Sequence, residues 1–269
     1  MSTGARHPGI LTSQKTGKST TLSDSPLLDR YELIARSPGL IRAKLSDIEP
    51  AMRKFLEGKI EATLRTTRSA KISYDPATTT IKTTRVTGGL AQALSVLNVL
   101  TNVEKVHAFL PTVGAWVVHF SNARDGFGAS DVEEYLSEAL KVRALQVLSP
   151  PEDRALRGQV LEVFDGGEVS RRIRCALSDS GKSWEFESCG KPLPFEDVKR
   201  YSVKSKRDRF TRALLIEYLR KLGARPFEES FYRVDASNPA LVIEQKETDP
   251  KFLAHFDPIS IFDVDPKTH

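Results

Sequence analysis

The sequence predicts an α+β fold of two small mixed domains, the second an antiparallel meander covered by one amphipathic helix. Three observations predict it: runs rich in Thr, Ile and Val broken by turn residues, apolar stretches at helical spacing between them, and a Ser-Pro-Pro step at 149–151 that divides the chain. The order of strands, helix and strands in the second half suits an α+β arrangement rather than alternating parallel units. At 269 residues, with 39% hydrophobic and 28% charged residues, the chain has the size and composition of one large globular domain or two ordinary ones.

Residues 1–28 are rich in Ser, Thr, Gly and Lys, carry no acid before Asp24 and show no apolar period, which predicts a disordered basic tail. An acid-poor, hydroxyl-rich leader also suits a targeting segment, but no amphipathic helix is evident in it. The first domain, 29–149, begins with a short strand, LIRAKL, and enters a helix at Ser46, where Ser46 and Glu49 have capping-box spacing. Ile48, Met52, Phe55 and Leu56 mark its buried side. After Gly58 the Thr-rich run with an Asp75-Pro76 turn signal predicts a hairpin, and GGLAQALSVLNVL predicts a core helix opened by Gly88 and Gly89. KVHAFLPTVGAWVVHF predicts a strand pair, and SDVEEYLSEALKVRALQVL a helix with Ser130 and Glu133 as its capping box.

In the second domain, 152–247, QVLEVF, EVSRRIRCAL and KSWEFES predict three strands joined at an Asp-Gly-Gly turn and a Ser-Gly turn. Alternation places Val169, Ile173, Cys175 and Leu177 on one face and Arg172 and Arg174 on the other, opposite Glu185 and Glu187, as cross-strand ion pairs. A helix over 207–222 follows, with Phe210, Leu214, Leu215, Tyr218, Leu219 and Leu222 on its apolar side and Gly223 as its stop. SFYRVDASNPALVIEQK predicts a last hairpin, and residues 248–269 an acidic C-terminal tail. Two cysteines, Cys175 and Cys189, make no disulfide framework and suit a reducing compartment. With no apolar run of the ~18 to 20 residues that a membrane helix needs, the expectation is a soluble, cytoplasmic protein without a membrane partner.

Charge is the main functional signal. The net +5 is concentrated in two segments: Arg65, Arg68, Lys71, Lys82 and Arg85 against Asp75 alone, and Lys199, Arg200, Lys204, Lys206, Arg207, Arg209 and Arg212 against Asp208 alone. A hairpin turning at Pro76 and Ala77 sets Lys71 opposite Lys82 and Arg68 opposite Arg85, like charges that a bound anion would separate. A ribbon of Lys, Arg, Thr and Ser can follow a phosphate backbone or enter a groove. The second segment interleaves cations with hydroxyls and Tyr201, which suits phosphate contact with one stacking side chain. The alternative is two solvated faces, with lysines guarding a sheet edge.

The leading expectation is therefore a non-enzymatic protein that binds DNA or RNA through phosphates, using both segments. A second reading is a protein-interaction or homo-oligomeric assembly module in which the acidic stretch Asp125–Glu138 and the acidic tail answer the basic clusters. A third is enzymatic. Asp235, followed on the next presumed strand by Glu244, Gln245 and Lys246, resembles the core of the PD-(D/E)xK nucleases over about a dozen residues. That resemblance implies carboxylates holding a divalent cation and a lysine orienting the attacking water. The chain departs from the pattern in lacking the following helix and strand, and Asp235 sits close to the turn. His107 and His119 could face each other across their strand pair, but two ligands do not close a metal site, and ordinary half-buried histidines are expected. No phosphate loop, nucleophile elbow, His-Glu-x-x-His or zinc-finger spacing occurs, so neither catalytic residues, metal ligands nor cofactors are assigned.

Overall fold

A computed structural model of the chain describes residues 26–67, 79–100, 105–123, 130–150, 157–178, 181–247 and 259–260. The elements are α1 (Pro26–Arg30), α2 (Glu32–Ala35), β1 (Gly39–Ile41), α3 (Leu45–Thr67), β2 (Thr79–Val86), α4 (Gly89–Ser95), β3 (Val99–Leu100), β4 (Lys105–Pro111) and β5 (Val117–Ser121). They continue with α5 (Ser130–Leu140), β6 (Arg143–Leu148), β7 (Gly158–Asp165), β8 (Glu168–Leu177), β9 (Trp184–Gly190), α6 (Arg212–Lys221), β10 (Ala240–Glu247) and β11 (Ile259–Ser260). Nine strands form one antiparallel sheet in the order β2-β10-β4-β5-β1-β6-β7-β8-β9, while β3 and β11 pair separately.

Helices cover both faces of this sheet, and side-chain alternation sorts the strand residues between them. Ile41, Phe109, Val117, Ala144, Phe164, Leu241 and Ile243 pack beneath Ile48, Met52 and Leu56 of α3 and Val132 and Leu136 of α5. Their neighbours Leu40, Ala108, Val118, Leu145, Leu161 and Val242 pack on the other face, against α1, α2, α4 and α6. A strand buried on both faces is a continuous apolar run rather than an alternating one. That explains the largest difference from the expected elements. RALQVL, read as the end of a helix, is strand β6, because an unbroken apolar run looks the same in a buried helix and a buried strand. The intervening stop is Lys141 at φ 54°, a left-handed cap made by a residue that gives no glycine signal, with Val142 N–H donating to the Ser137 carbonyl.

The division at 149–151 has no counterpart in the sheet. β6 and β7 lie on either side of it and pair from Arg143–Asp165 to Leu148–Val160, and β10 inserts between β2 and β4. Of the expected hairpin over 65–85, the described residues form only the end of a helix and one strand. Residues 59–67 continue α3, residues 68–78 lie outside the described set, and β2 pairs with β10. Gly58 does not end α3, since a single glycine costs a helix only about 1 kcal/mol. The expected final hairpin reduces to β10 alone, since Glu229–Phe231 is a short 3-10 turn and Tyr232 bridges to Thr112. The core helix over 88–100 is shorter than expected and gives way to β3.

The meander β7-β8-β9 forms as expected, and α6 covers it with Leu214, Leu215, Tyr218 and Leu219 buried, sharing its layer with α1, α2 and α4. Arg172 pairs with Glu162 and lies 3.9 Å from Glu187, so the expected cross-strand pairing is met in part. Val169, placed with the core residues by alternation, is exposed, because a bulge at Val163/Phe164 shifts the register of the β7–β8 pair. The tail expected at 1–28 falls outside the described residues except for its end, where Leu28 of α1 is buried. Most of the acidic tail lies outside them too, and Ile259–Ser260 forms β11. Among the described residues no helix is long and apolar enough to cross a membrane.

Gly158 starts β7 at φ 139°, and a Cβ there would lie 2.5 Å from Ala176 Cα. Gly158→Ala therefore meets backbone rather than a movable side chain. A loss of about 2 to 4 kcal/mol is expected in urea unfolding, with an unchanged denaturant slope.

Candidate nucleic-acid interface

The segment 190–211 leaves the edge strand β9 and folds back over the core face of β8 and β9. One side chain fixes it there. Arg171 lies on the same face of β8 as Ile173 and Cys175, and its side chain is 2% exposed. Its Nε and Nη2 donate to the two carboxylate oxygens of Glu196 at 2.8 and 2.6 Å. Nη1 donates to the Cys189 and Gly190 carbonyls, and Nη2 also donates to Ser188 Oγ. Glu196 in turn accepts from Leu193 N–H and from the Tyr201 hydroxyl, and Tyr218 of α6 accepts from Asp197 N–H. Burial, followed by these hydrogen bonds, raises the Tyr201 hydroxyl pKa, so the phenol stays protonated as a donor to Glu196. Sequence reasoning missed Arg171, although its odd-numbered parity with Ile173 and Cys175 was the available signal.

On this platform the basic segment takes two roles. Arg209 lies over the Phe186 ring at 5.5 Å and donates to the Val203 carbonyl at 2.8 Å. Arg212 lies over Phe227 at 4.8 Å and donates to the Ser149 carbonyl and hydroxyl. These two cations hold the segment in place. Lys199, Arg200, Lys204, Lys206 and Arg207 are exposed. Arg200 also donates to the Asp208 carbonyl, and Arg207 lies over the Trp184 ring at 5.7 Å. A cleft of about 400 Å³ opens beside them, lined by Arg157, Trp184, Ser205, Arg207, Asp208 and Arg212, among others. Arg157 and Trp184 were not anticipated there, since proximity to 205–212 comes from the sheet and not from the chain order.

The other basic segment is elsewhere. Lys82 and Arg85 lie on β2, the opposite end strand of the sheet among the described residues. Eight inter-strand spacings of about 4.8 Å separate the two ends, on the order of 40 Å along the sheet. Lys82 stands opposite Glu244, and Arg85 forms an ion pair with Glu49, the acid expected to cap α3. Arg65 is on α3, and Arg68 and Lys71, the expected like-charge partners of Arg85 and Lys82, lie outside the described residues.

The nuclease-like residues are not brought together. Asp235, half-buried in a tight turn, accepts from the Asn238 side-chain amide and from the Asn238 and Ser237 N–H groups, and these bonds lower its carboxyl pKa. Glu244 lies well along β10, roughly 15 Å or more from that turn at about 3.4 Å per residue. Among the described residues no three His, Cys, Asp or Glu side chains are grouped to hold a metal ion. In the acidic stretch, Asp131 pairs with Lys59 and Glu133 is buried, so two of its acids already have internal roles. His107 and His119 do meet, with Nδ1 and Nε2 3.0 Å apart, but both are buried rather than half-buried.

No family model matches the chain, and no curated protein or solved structure matches it significantly. The functional reading therefore rests on the geometry alone.

Because the Glu196 side chain is wholly buried, removing its partner strands a charge. Arg171→Met is expected to cost about 3 to 5 kcal/mol, and Arg171→Met with Glu196→Leu far less. Thermal unfolding of the two variants checks both.

Proposed function

We propose that the protein is a non-enzymatic nucleic-acid-binding protein that contacts phosphates through the 199–212 segment. The observation that supports this most directly is five exposed cations, Lys199, Arg200, Lys204, Lys206 and Arg207, carried on a segment held by the Arg171–Glu196 pair. Cations on a fixed backbone lose less freedom on binding than cations on a floppy tail, so more of their attraction to phosphate is retained. The cleft adds Trp184 beside the cations, a ring against which an unpaired base could pack. Lys82 and Arg85 are not part of this surface, which narrows the reading from two basic segments to one.

Binding to fluorescent single- and double-stranded DNA and RNA across a salt series tests the proposal. With about five phosphate contacts, the logarithm of affinity for duplex is expected to fall with the logarithm of salt at a slope of about −4.5. The variant Lys199→Glu, Lys204→Glu, Lys206→Glu, Arg207→Glu should lose at least tenfold in affinity and most of the slope. Lys221→Glu, an exposed change on α6, should lose neither. No binding at low salt, or unchanged binding by the fourfold variant, would overturn the reading.

A further inference from the structure

Three ionisable side chains form a hydrogen-bonded chain beneath α5, remote from the basic segment. His119 Nδ1 lies 2.6 Å from Glu133 Oε1, and His119 Nε2 lies 3.0 Å from His107 Nδ1. His119 and Glu133 are fully buried and His107 is 3% exposed. At the two ends, His107 Nε2 and Glu133 Oε2 reach no hydrogen-bond partner among the described residues. Phe109 stacks on His119 at 4.6 Å, and Gly39 of β1 makes room for the carboxyl, since a Cβ there would lie 1.7 Å from Glu133 Oε1. The charged groups facing the chain are Lys59 of α3, Asp131 of α5 and Lys105 of β4, with Lys59 and Asp131 paired to each other. From β1, β5 and β10 come Ile41, Val117, Leu241 and Ile243, which are apolar.

We propose that His107, His119 and Glu133 form a proton-counting latch that seats α5 on the sheet and opens on either side of a pH optimum. The count follows from the bonding. The donors and acceptors align when Glu133 Oε1–H donates to His119 Nδ1 and His119 Nε2–H donates to His107 Nδ1, leaving the His107 proton on Nε2. Moving the two bridging protons one place each gives a carboxylate and an imidazolium with the same total. Either way the closed chain is neutral and holds one proton more than a carboxylate with two neutral imidazoles. Any other count buries a net charge in an apolar layer.

Once α5 lifts and water reaches the three groups, they titrate near their ordinary values. They then hold no such proton well above pH 6.5, two between about pH 4.5 and 6.5, and three in stronger acid. Opening therefore releases one proton on the alkaline side and takes up one on the mildly acidic side. The burial shifts agree in sign. Desolvation pushes His119 down to about 3 and His107 down as well, so their contribution to closure is present above the ordinary histidine range and lost as pH falls below it. Desolvation pushes Glu133 up, so its contribution is present in acid and lost as pH rises above the ordinary carboxylate range. The opening constant is smallest near pH 6.5. It grows about tenfold by pH 5.0 and about eightfold by pH 8.0, approaching tenfold per unit beyond on the alkaline side and rising more steeply in stronger acid, where the Glu133 carboxylate is protonated too.

Amide hydrogen exchange of α5 from pH 5 to 8, corrected for intrinsic exchange rates, measures this opening. Greatest protection near pH 6.5, falling about tenfold at pH 5 and about eightfold at pH 8, is expected of the native chain. The variant His107→Leu, His119→Leu, Glu133→Leu should show a flat profile. Should that variant fail to fold, His107→Leu alone keeps one imidazole, so the mildly acidic arm disappears and the alkaline arm remains. A flat profile in the native chain, or an acidic arm that survives either variant, overturns the proposal.

Discussion

The Arg171–Glu196 pair is the contact on which the edge of this structure depends. Five guanidinium donors are distributed over a carboxylate, two main-chain carbonyls and a hydroxyl, so that a fully desolvated cation has no open valence. Because the carbonyls belong to β9 and the carboxylate to the segment beyond it, the pair ties strand to loop. Tyr201 and Tyr218 extend the tie to the following 3-10 turn and to α6. A buried ion pair is seldom worth more than well-packed apolar residues. Here it fixes where a polar segment with little core of its own must lie, and so it orders a surface rich in positive charge.

The same economy operates on the other face of the sheet. Both acids that the sequence marks as helix caps leave that role. Glu49 turns to Arg85 across to β2, and Glu133 turns inward to His119. Each thereby joins a helix to the sheet rather than satisfying its own first turn. Helix positions three residues after a Ser are well suited to either task, since a glutamate there can reach back to the backbone or outward to a neighbour. Tertiary partners decide between them.

Much of the local structure was legible in the residues. α3, α5 and α6, the β4–β5 pair and the β7-β8-β9 meander follow from apolar spacing and turn residues such as Gly166 and Gly167. The architecture was not. Nothing local to ALVIEQK tells it to enter the sheet between β2 and β4, far from its chain neighbours, and nothing local to Lys141 marks the end of α5. The two-domain division came from treating a proline pair as a linker, when it joins adjacent strands. In the candidate site, the cations at 199–212 were visible as composition. Their separation into holding residues, Arg209 and Arg212, and presented residues required knowing that Phe186, Phe227 and Ser149 lie beneath.

The placement of β10 has a consequence for how the chain is made. β2 and β4 do not pair with each other, and the strand that joins them begins at Ala240, some 130 residues after β4 ends. During synthesis, from the amino end, both strands wait with open edges until β10 has emerged. Contacts of that sequence separation are slow to close, and unpaired strand edges are where growing chains stick to one another. The Thr-rich, Lys- and Arg-bearing sequence of β2 is therefore placed where solubility matters before folding as well as after it: a charged edge discourages pairing with the wrong chain while the right strand is still to come.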